Sequence, residues 1–401
     1  MNYNISVVPK LFGKEPGLSW KMLRGFIKLG CAKLKTNYGH DHFKDLGLVY
    51  FKLTPLCNLR CKMCGQYGDR GVMKEKGVVA EAAKTILPLE RYKEIIDELA
   101  PTTPVSYIWG GEPFLYPDLM PLAKYMVEKG MYVAINTNGT LIEEHAEQIV
   151  RDKWSTIFVS LDAFRDVNDA IRGQGSYDKV VRGFAALNRE KKKQKSNHPM
   201  LGIVTTVTNM NYAYLKEFVA ATKEFNLDFH IFNLGTYTND KIVAAQKKFM
   251  LEKLDTNIDC LAGYNTGYNK DIDGQKLFDI LKAIHSSNFG KPPLKSLRLT
   301  VPALNPEKIN TYYSDLETPV RNRCIVPWCQ ANINYNGDIH FCADYPDYIL
   351  GNLKTNTFKE IYNGDRANRF RKLLSESENG LFPGCLRCYQ NMLFGRKIKG
   401  F

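Results

Sequence analysis

Six short apolar runs, each followed by polar or helical sequence, organise the first 235 residues. Strand-like runs lie at Leu48–Leu53, Val105–Trp109, Tyr132–Asn136, Thr156–Leu161, Gly202–Val207 and Asp228–Asn233. Helical periodicity marks Leu89–Leu99, Leu119–Glu128, Glu143–Arg151, Asp178–Lys192 and Tyr212–Phe225. Strands separated by helices are joined by crossovers, and crossovers build parallel sheets. The pattern predicts an α/β fold with six βα units. A chain of 401 residues with 44% apolar content can bury a large core and still carry an appendage.

The loop after the first run holds the chemistry. It reads Thr54-Pro55-Leu56-Cys57-Asn58-Leu59-Arg60-Cys61-Lys62-Met63-Cys64. Three residues separate the first two cysteines and two separate the next pair, so one loop can aim three thiolates at one point. Thiolates are soft ligands that suit iron–sulfur clusters. Three ligands on a four-iron cubane leave one iron open to a chelating molecule. Zinc is the competing reading, but zinc usually takes a fourth nearby Cys or His, and none follows within the next twenty residues.

These residues resemble the radical S-adenosylmethionine (SAM) enzymes, whose CxxxCxxC loop follows the first barrel strand. Four more segments are similar and in order: Trp109-Gly110-Gly111-Glu112-Pro113, Asn136-Thr137-Asn138-Gly139-Thr140, Val159-Ser160-Leu161-Asp162 and Ile171-Arg172-Gly173-Gln174-Gly175-Ser176-Tyr177. The resemblance covers residues 48–235 and implies a partial (β/α)6 TIM barrel. It implies that Cys57, Cys61 and Cys64 hold a 4Fe–4S cluster. SAM would contact Gly110, Gly111, Glu112, Thr137, Asn138, Ser160, Asp162 and Arg172. Met63 stands where many relatives carry an aromatic residue; Met is apolar and polarizable, a tolerated exchange.

A second cysteine set lies near the C-terminus. Cys324 and Cys342 flank a stretch in which Ala331–Tyr335, Asn336-Gly337 and Asp338–Cys342 read as a hairpin. Cys385-Leu386-Arg387-Cys388 follows. Cys324, Cys342, Cys385 and Cys388 resemble the ligands of the SPASM extension in its short twitch form, which implies a second, auxiliary 4Fe–4S cluster. A four-cysteine structural zinc site is the alternative. Cys329 is an extra thiol that can replace Cys324, donate a hydrogen atom or stay inert. The expected domains are 1–47, a basic helical segment; 48–235, the barrel; 236–319, a mostly helical connection; and 320–401, the auxiliary cluster domain. Cys260, in the connection, is read as structural or incidental.

The resemblance implies reductive cleavage of SAM to a 5′-deoxyadenosyl radical that abstracts a hydrogen atom from a substrate carbon. The expected substrate is a peptide or protein side chain. The alternative is a sugar, aminocyclitol or lipid-linked small molecule, and the remote alternative a non-enzymatic zinc protein. Candidate catalytic residues are Tyr177, His230 and Cys329, although a histidine on an apolar strand is more often a core residue. Net charge +13 favours an anionic partner. A flavodoxin- or ferredoxin-type electron donor is expected, and nucleic acid is not, since no recognisable module appears. The basic amphipathic stretch Trp20–Leu29 either packs on the barrel or lies on a membrane surface. The run Lys191–Lys195 is a solvated helix end. Ten cysteines without a secretory pattern point to metals in a reduced cytoplasm. A monomer is expected.

Overall fold

The computed structural model describes residues 41–102, 105–286, 296–344 and 346–397, with positions 20, 23–25 and 27–28. Seven parallel strands follow one another in space as in sequence: β1 (Leu48–Lys52), β2 (Val105–Trp109), β3 (Tyr132–Thr137), β4 (Thr156–Ser160), β5 (Met200–Thr206), β6 (Phe229–Asn233) and β7 (Leu297–Val301). Helices join them and cover the outer face. Helix Leu89–Leu99 begins after Pro88 and buries Tyr92, Ile95, Ile96 and Leu99, one stripe at helical spacing. Helix Ile142–Arg151 buries Ile142, Ala146, Ile149 and Val150, with Glu143 and Glu144 at its positive end and Arg151 at its negative end.

Five of the six expected strands sit within one residue of their predicted bounds, and the sixth, β5, starts two residues early. The seventh, β7, lies inside the stretch expected to be a mostly helical connection and pairs in parallel with β6, Phe229 opposite Leu297.

The C-terminal segment extends the same sheet. After the short β8 (Arg321–Asn322), strand β9 (Gln330–Ile333) pairs in parallel with β1, Leu48 opposite Gln330. It turns through Gly337, whose φ of +91° needs no Cβ, into β10 (Asp338–His340), and β11 (Gly351–Asn352) follows. The ten strands run β11-β10-β9-β1-β2-β3-β4-β5-β6-β7, and the sheet stays open between its ends. A two-residue β12 (Arg396–Lys397) pairs with β8. The hairpin forms at the expected Asn-Gly, with a four-residue loop, 334–337, rather than two.

Side chains of one parity face the barrel interior. Tyr50, Tyr107, Phe158 and Phe229 stack across it, with ring centroids 5.0, 6.3 and 6.0 Å apart. This aromatic layer is the floor under the strand ends, where the loops converge. Positions 21, 22, 26 and 29 of the stretch Trp20–Leu29 lie outside the described residues; within it, the Lys28 ammonium donates to the carbonyls of Lys44, Leu46 and Thr102.

Candidate active site

The loop after β1 is tied down on three sides. Glu112 N donates to the Leu56 carbonyl at 2.7 Å, fixing it to the end of β2. Asn58 bridges to the loop after β3: its Nδ2 donates to Thr140 Oγ1 at 2.9 Å, and its Oδ1 accepts from Asn138 Nδ2 at 2.7 Å. Lys62 N donates to the Ile171 carbonyl at 3.0 Å. The backbone approaches closely here: a Cβ on Gly111 would stand 2.0 Å from the Leu56 carbonyl oxygen, so only glycine fits. Cys57, Cys61 and Cys64 all face one cavity of about 290 Å3 at the carboxyl ends of the strands. Burial pushes the Cys57 thiol up to about 11 and the Cys61 thiol to about 12, the latter opposed by Arg172.

Glu112 is fully buried and does not line the cavity. Its Oε1 accepts from Thr137 Oγ1 at 2.6 Å and from Phe114 N at 3.2 Å, and its Oε2 accepts from Asn138 N at 2.8 Å. It therefore straps the ends of β2 and β3 together beneath the cavity. Burial raises its pKa to about 7 against these three donors. Gly110, Gly111, Thr137 and Asn138 line the cavity.

Asp162 also stands behind the wall. Its Oδ2 accepts from Arg172 Nε at 2.7 Å and its Oδ1 from Thr206 N at 2.8 Å. Arg172 lines the cavity, as does Ser160, and its Nη1 lies 3.9 Å from Cys61 Sγ. Burial opposes the guanidinium's charge, and Asp162 with Cys61 more than restores it.

The candidate catalytic residues are not at this cavity. His230 lies on the helix-facing parity of β6, stacked on Phe232 at 4.4 Å. Thr205 Oγ1 donates to the Leu161 carbonyl at 2.7 Å, so it accepts from His230 Nε2 at 2.9 Å, and burial drives the His230 pKa down to about 3. This is a satisfied core histidine. Tyr177 sits at the start of helix Ser176–Lys193, its ring beside Arg165 at 5.7 Å. Cys329 is fully buried, its Sγ donating to the Ile325 carbonyl at 3.3 Å. Neither Tyr177 nor Cys329 lines the cavity.

The second cysteine set does not itself line the cavity. Cys388 lies within electrostatic reach of Cys342 and Cys385, and Cys324 within reach of Cys385. Burial pushes the Cys324 and Cys388 thiols upward. Their chain neighbours Ala343, Asp344, Tyr389 and Gln390 line the cavity. Asp344 accepts from Tyr389 N at 3.1 Å and from the hydroxyl of Tyr264 at 3.2 Å. Sequence reasoning missed Asn58, Trp109, Asp344, Tyr389 and Gln390; the last three directly adjoin a C-terminal cysteine or follow it by two, a usable signal.

Among the described residues, four cavity-wall atoms have no hydrogen-bond partner: Gln66 Oε1, Trp109 Nε1, Asn136 Oδ1 and Gln390 Nε2. Buried polar groups left so are costly and mark a wall awaiting a ligand.

The sequence profile of the radical SAM superfamily matches residues 51–221, and that of SPASM, an iron–sulfur cluster-binding domain, matches residues 324–389. The chain carries a radical SAM domain followed by a C-terminal SPASM domain. Among curated proteins it is similar to the Fe-coproporphyrin III synthase of Methanosarcina barkeri, 39% identical over 40% of this chain and 42% of that protein. It is similar to the pre-heme d1 synthase of Dinoroseobacter shibae, 25% identical over 79% of this chain and 73% of that protein. It is also similar to the mycofactocin maturase MftC of Mycobacterium tuberculosis, 31% identical over 46% of this chain and 44% of that protein. The chain thus spans under half the length of the first and third. Streptococcus suis SuiB bound to S-adenosylmethionine shares the fold, with TM-score 0.57, 18% identity, and coverage of 86% of this chain and 71% of that one.

A radical SAM domain implies a 4Fe–4S cluster with SAM, and a SPASM domain implies auxiliary iron–sulfur chemistry. The residues present fit in kind, three thiols lining one cavity with a guanidinium beside one of them, and among the described residues no three His, Cys, Asp or Glu side chains already stand gathered as a metal site.

Proposed function

We propose that this enzyme abstracts a hydrogen atom from a peptide side chain and completes a net oxidation with the help of its auxiliary cluster. The observation that carries this reading is one cavity lined by Cys57, Cys61 and Cys64 and by Ala343, Asp344, Tyr389 and Gln390, the chain neighbours of Cys342 and Cys388. When bound, the cluster and SAM supply a carbon radical that removes the hydrogen atom. Cys57, Cys61 and Cys64 hold the first cluster, and Cys324, Cys342, Cys385 and Cys388 hold the auxiliary one. Gly110, Gly111, Thr137, Asn138, Ser160 and Arg172 form the SAM berth, with Glu112 and Asp162 as positioning residues behind it. Tyr50, Tyr107, Trp109, Tyr237, Tyr264 and Tyr389 wall the space and exclude water. In this reading residues 48–235 are the barrel, 236–319 the connection and 320–401 the auxiliary domain. Peptide chemistry is supported by the likeness to a maturase.

A second reading is favoured by the relatives named as heme or pre-heme d1 synthases: a tetrapyrrole whose carboxylates meet Arg172. Anaerobic reconstitution, iron and sulfide counting, and assay of 5′-deoxyadenosine with dithionite and SAM test the shared claim. Release stimulated by short peptides encoded beside the gene supports the first reading. Stimulation by coproporphyrin III supports the second. Absence of both iron and SAM cleavage refutes the whole assignment.

A further inference from the structure

Lys52, the last residue of β1, is 8% exposed. It shares the parity of Tyr50, so it faces the barrel interior at the rim, with its stem packed against Gly110. Among the described residues its ammonium makes no hydrogen bond and no ion pair; it lies over the face of the Tyr335 ring, 5.5 Å from the centroid. Holding a lysine in so buried a position costs hydration of its charge. Burial accordingly lowers its pKa to about 8, and the groups that favour its charge are two thiols, Cys260 and Cys64. Burial pushes Cys260 up to about 12, so it stays neutral. Cys64 belongs to the CxxxCxxC loop and becomes a thiolate when it takes a metal.

On the other side lies His340. Its Nδ1 sits 2.8 Å from the Cys342 carbonyl, and its buried Nε2 has no partner. Burial lowers its pKa to about 3, so this ring supplies no charge. Lys52 thus stands at the end of β1 beside Tyr335 of the β9–β10 hairpin loop, with no ion pair to a carboxylate among the described residues.

We propose that Lys52 is the charge-compensating residue of the three-cysteine cluster, its buried ammonium answering the negative charge that arrives with the metal-bound Cys64 thiolate. The inference rests on the cluster assignment made above. A fixed cation near a cluster stabilises the reduced form more than the oxidised form, because reduction adds one negative charge. One fixed unit charge, screened by an effective dielectric of about 20, changes such an equilibrium on the order of tenfold.

The test uses reconstituted full-length enzyme as wild type, Lys52→Met and Lys52→Arg, with iron counted and each cluster titrated potentiometrically by electron paramagnetic resonance. Lys52→Met should make reduction of the SAM-binding cluster about tenfold less favourable, about 59 mV for a one-electron couple, while Lys52→Arg stays near wild type. The iron-free protein gives a second readout: Lys52→Met should raise its urea midpoint, and the gain should vanish in the iron-loaded protein. Unmoved potentials in an iron-replete Lys52→Met overturn the proposal and leave the enzyme assignment intact. If that variant loads no iron, an unchanged or lowered urea midpoint of its iron-free form overturns it. Failure of the wild type itself to bind iron refutes the underlying assignment instead.

Discussion

The buried pair Asp162–Arg172 gives a sharp test of how the site is braced. Asp162 holds Arg172 Nε at 2.7 Å and Thr206 N at 2.8 Å, and both partners of the ion pair are buried. Breaking a buried pair by removing one charge costs about 3–5 kcal/mol, because the other charge stays buried and uncompensated. Asp162→Asn keeps an acceptor for one of its two donors, so its cost should fall near the lower end, about 3 kcal/mol. Arg172→Met strands the carboxylate on a single backbone donor and should also cost about 3 kcal/mol. The double variant leaves no buried charge and should cost much less than the sum. The coupling should then be about 3 kcal/mol. Urea unfolding of the iron-free protein at pH 7, with equal m-values as the check on comparability, measures each leg of the cycle. In the iron-loaded enzyme the Asp162→Asn penalty should shrink, since Arg172 then faces a metal-bound Cys61 thiolate 3.9 Å from its Nη1. Additive single effects, with coupling under about 0.5 kcal/mol, would refute the claim that Asp162 exists to hold Arg172.

Three further outcomes are expected. Glu112 titrates at about 7 in the fold against an ordinary 4.5, so the native state binds more protons between those values. Stability of the iron-free protein should fall by about 3 kcal/mol as pH rises from about 4.5 to 7, and Glu112→Gln should remove that fall when the two urea series are compared. Gly111→Ala forces a methyl to within 2.0 Å of the Leu56 oxygen; iron per chain should drop by about half as the three-cysteine loop is displaced, read by colorimetric iron analysis. Replacing Cys385 and Cys388 together by serine should also halve the iron, from about eight to about four per chain, by ligand counting. That variant should still release 5′-deoxyadenosine yet form no oxidised product in a mass-spectrometric assay.

Much of this fold is local and therefore legible. The strands β1 to β6 are apolar runs bounded by helical stripes, and periodicity reports them directly. The strand β7, Leu297–Val301, is a short run with Arg298 and Thr300 alternating inside it, and four of its five residues are only partly buried. A half-buried edge strand carries little apolar signal, so the sequence shows a polar connection there. The cysteine spacings were equally visible. What spacing does not contain is which side of a loop an acidic residue takes. Glu112 and Asp162 look like ligand contacts in one dimension, and the structure turns both behind the wall, Glu112 engaged by Thr137 and Asn138 at the end of β3 and Asp162 by Thr206 N at the end of β5 and by Arg172. His230 takes the core role for a related reason: it is one residue out of phase with Ile231 and Asn233, and one step of register on a strand exchanges the cavity for the helix layer.

The pairing of β9 with β1 carries a consequence that motifs alone do not reach. The two cysteine sets are separated by more than 250 residues of chain, yet β1 leads into Cys57 and the β9–β10 hairpin leads into Cys342, and these strands are hydrogen-bonded neighbours in one sheet. Register along a sheet is fixed to a fraction of a residue, because a slip by one residue would put the buried faces in water. The separation of the two cysteine sets is therefore set by sheet geometry rather than by a flexible interdomain contact. A fixed separation is what electron transfer between two centres and one substrate requires. It also explains why Lys52, at the end of β1, comes to lie beside Tyr335 of the hairpin loop. A substitution that loosens the β1–β9 edge, such as Ala331→Pro in the buried centre of β9, would remove a ladder donor. It should uncouple substrate oxidation from SAM cleavage while the three-cysteine loop still loads iron, and loss of both together would show that the sheet edge does more than set that distance.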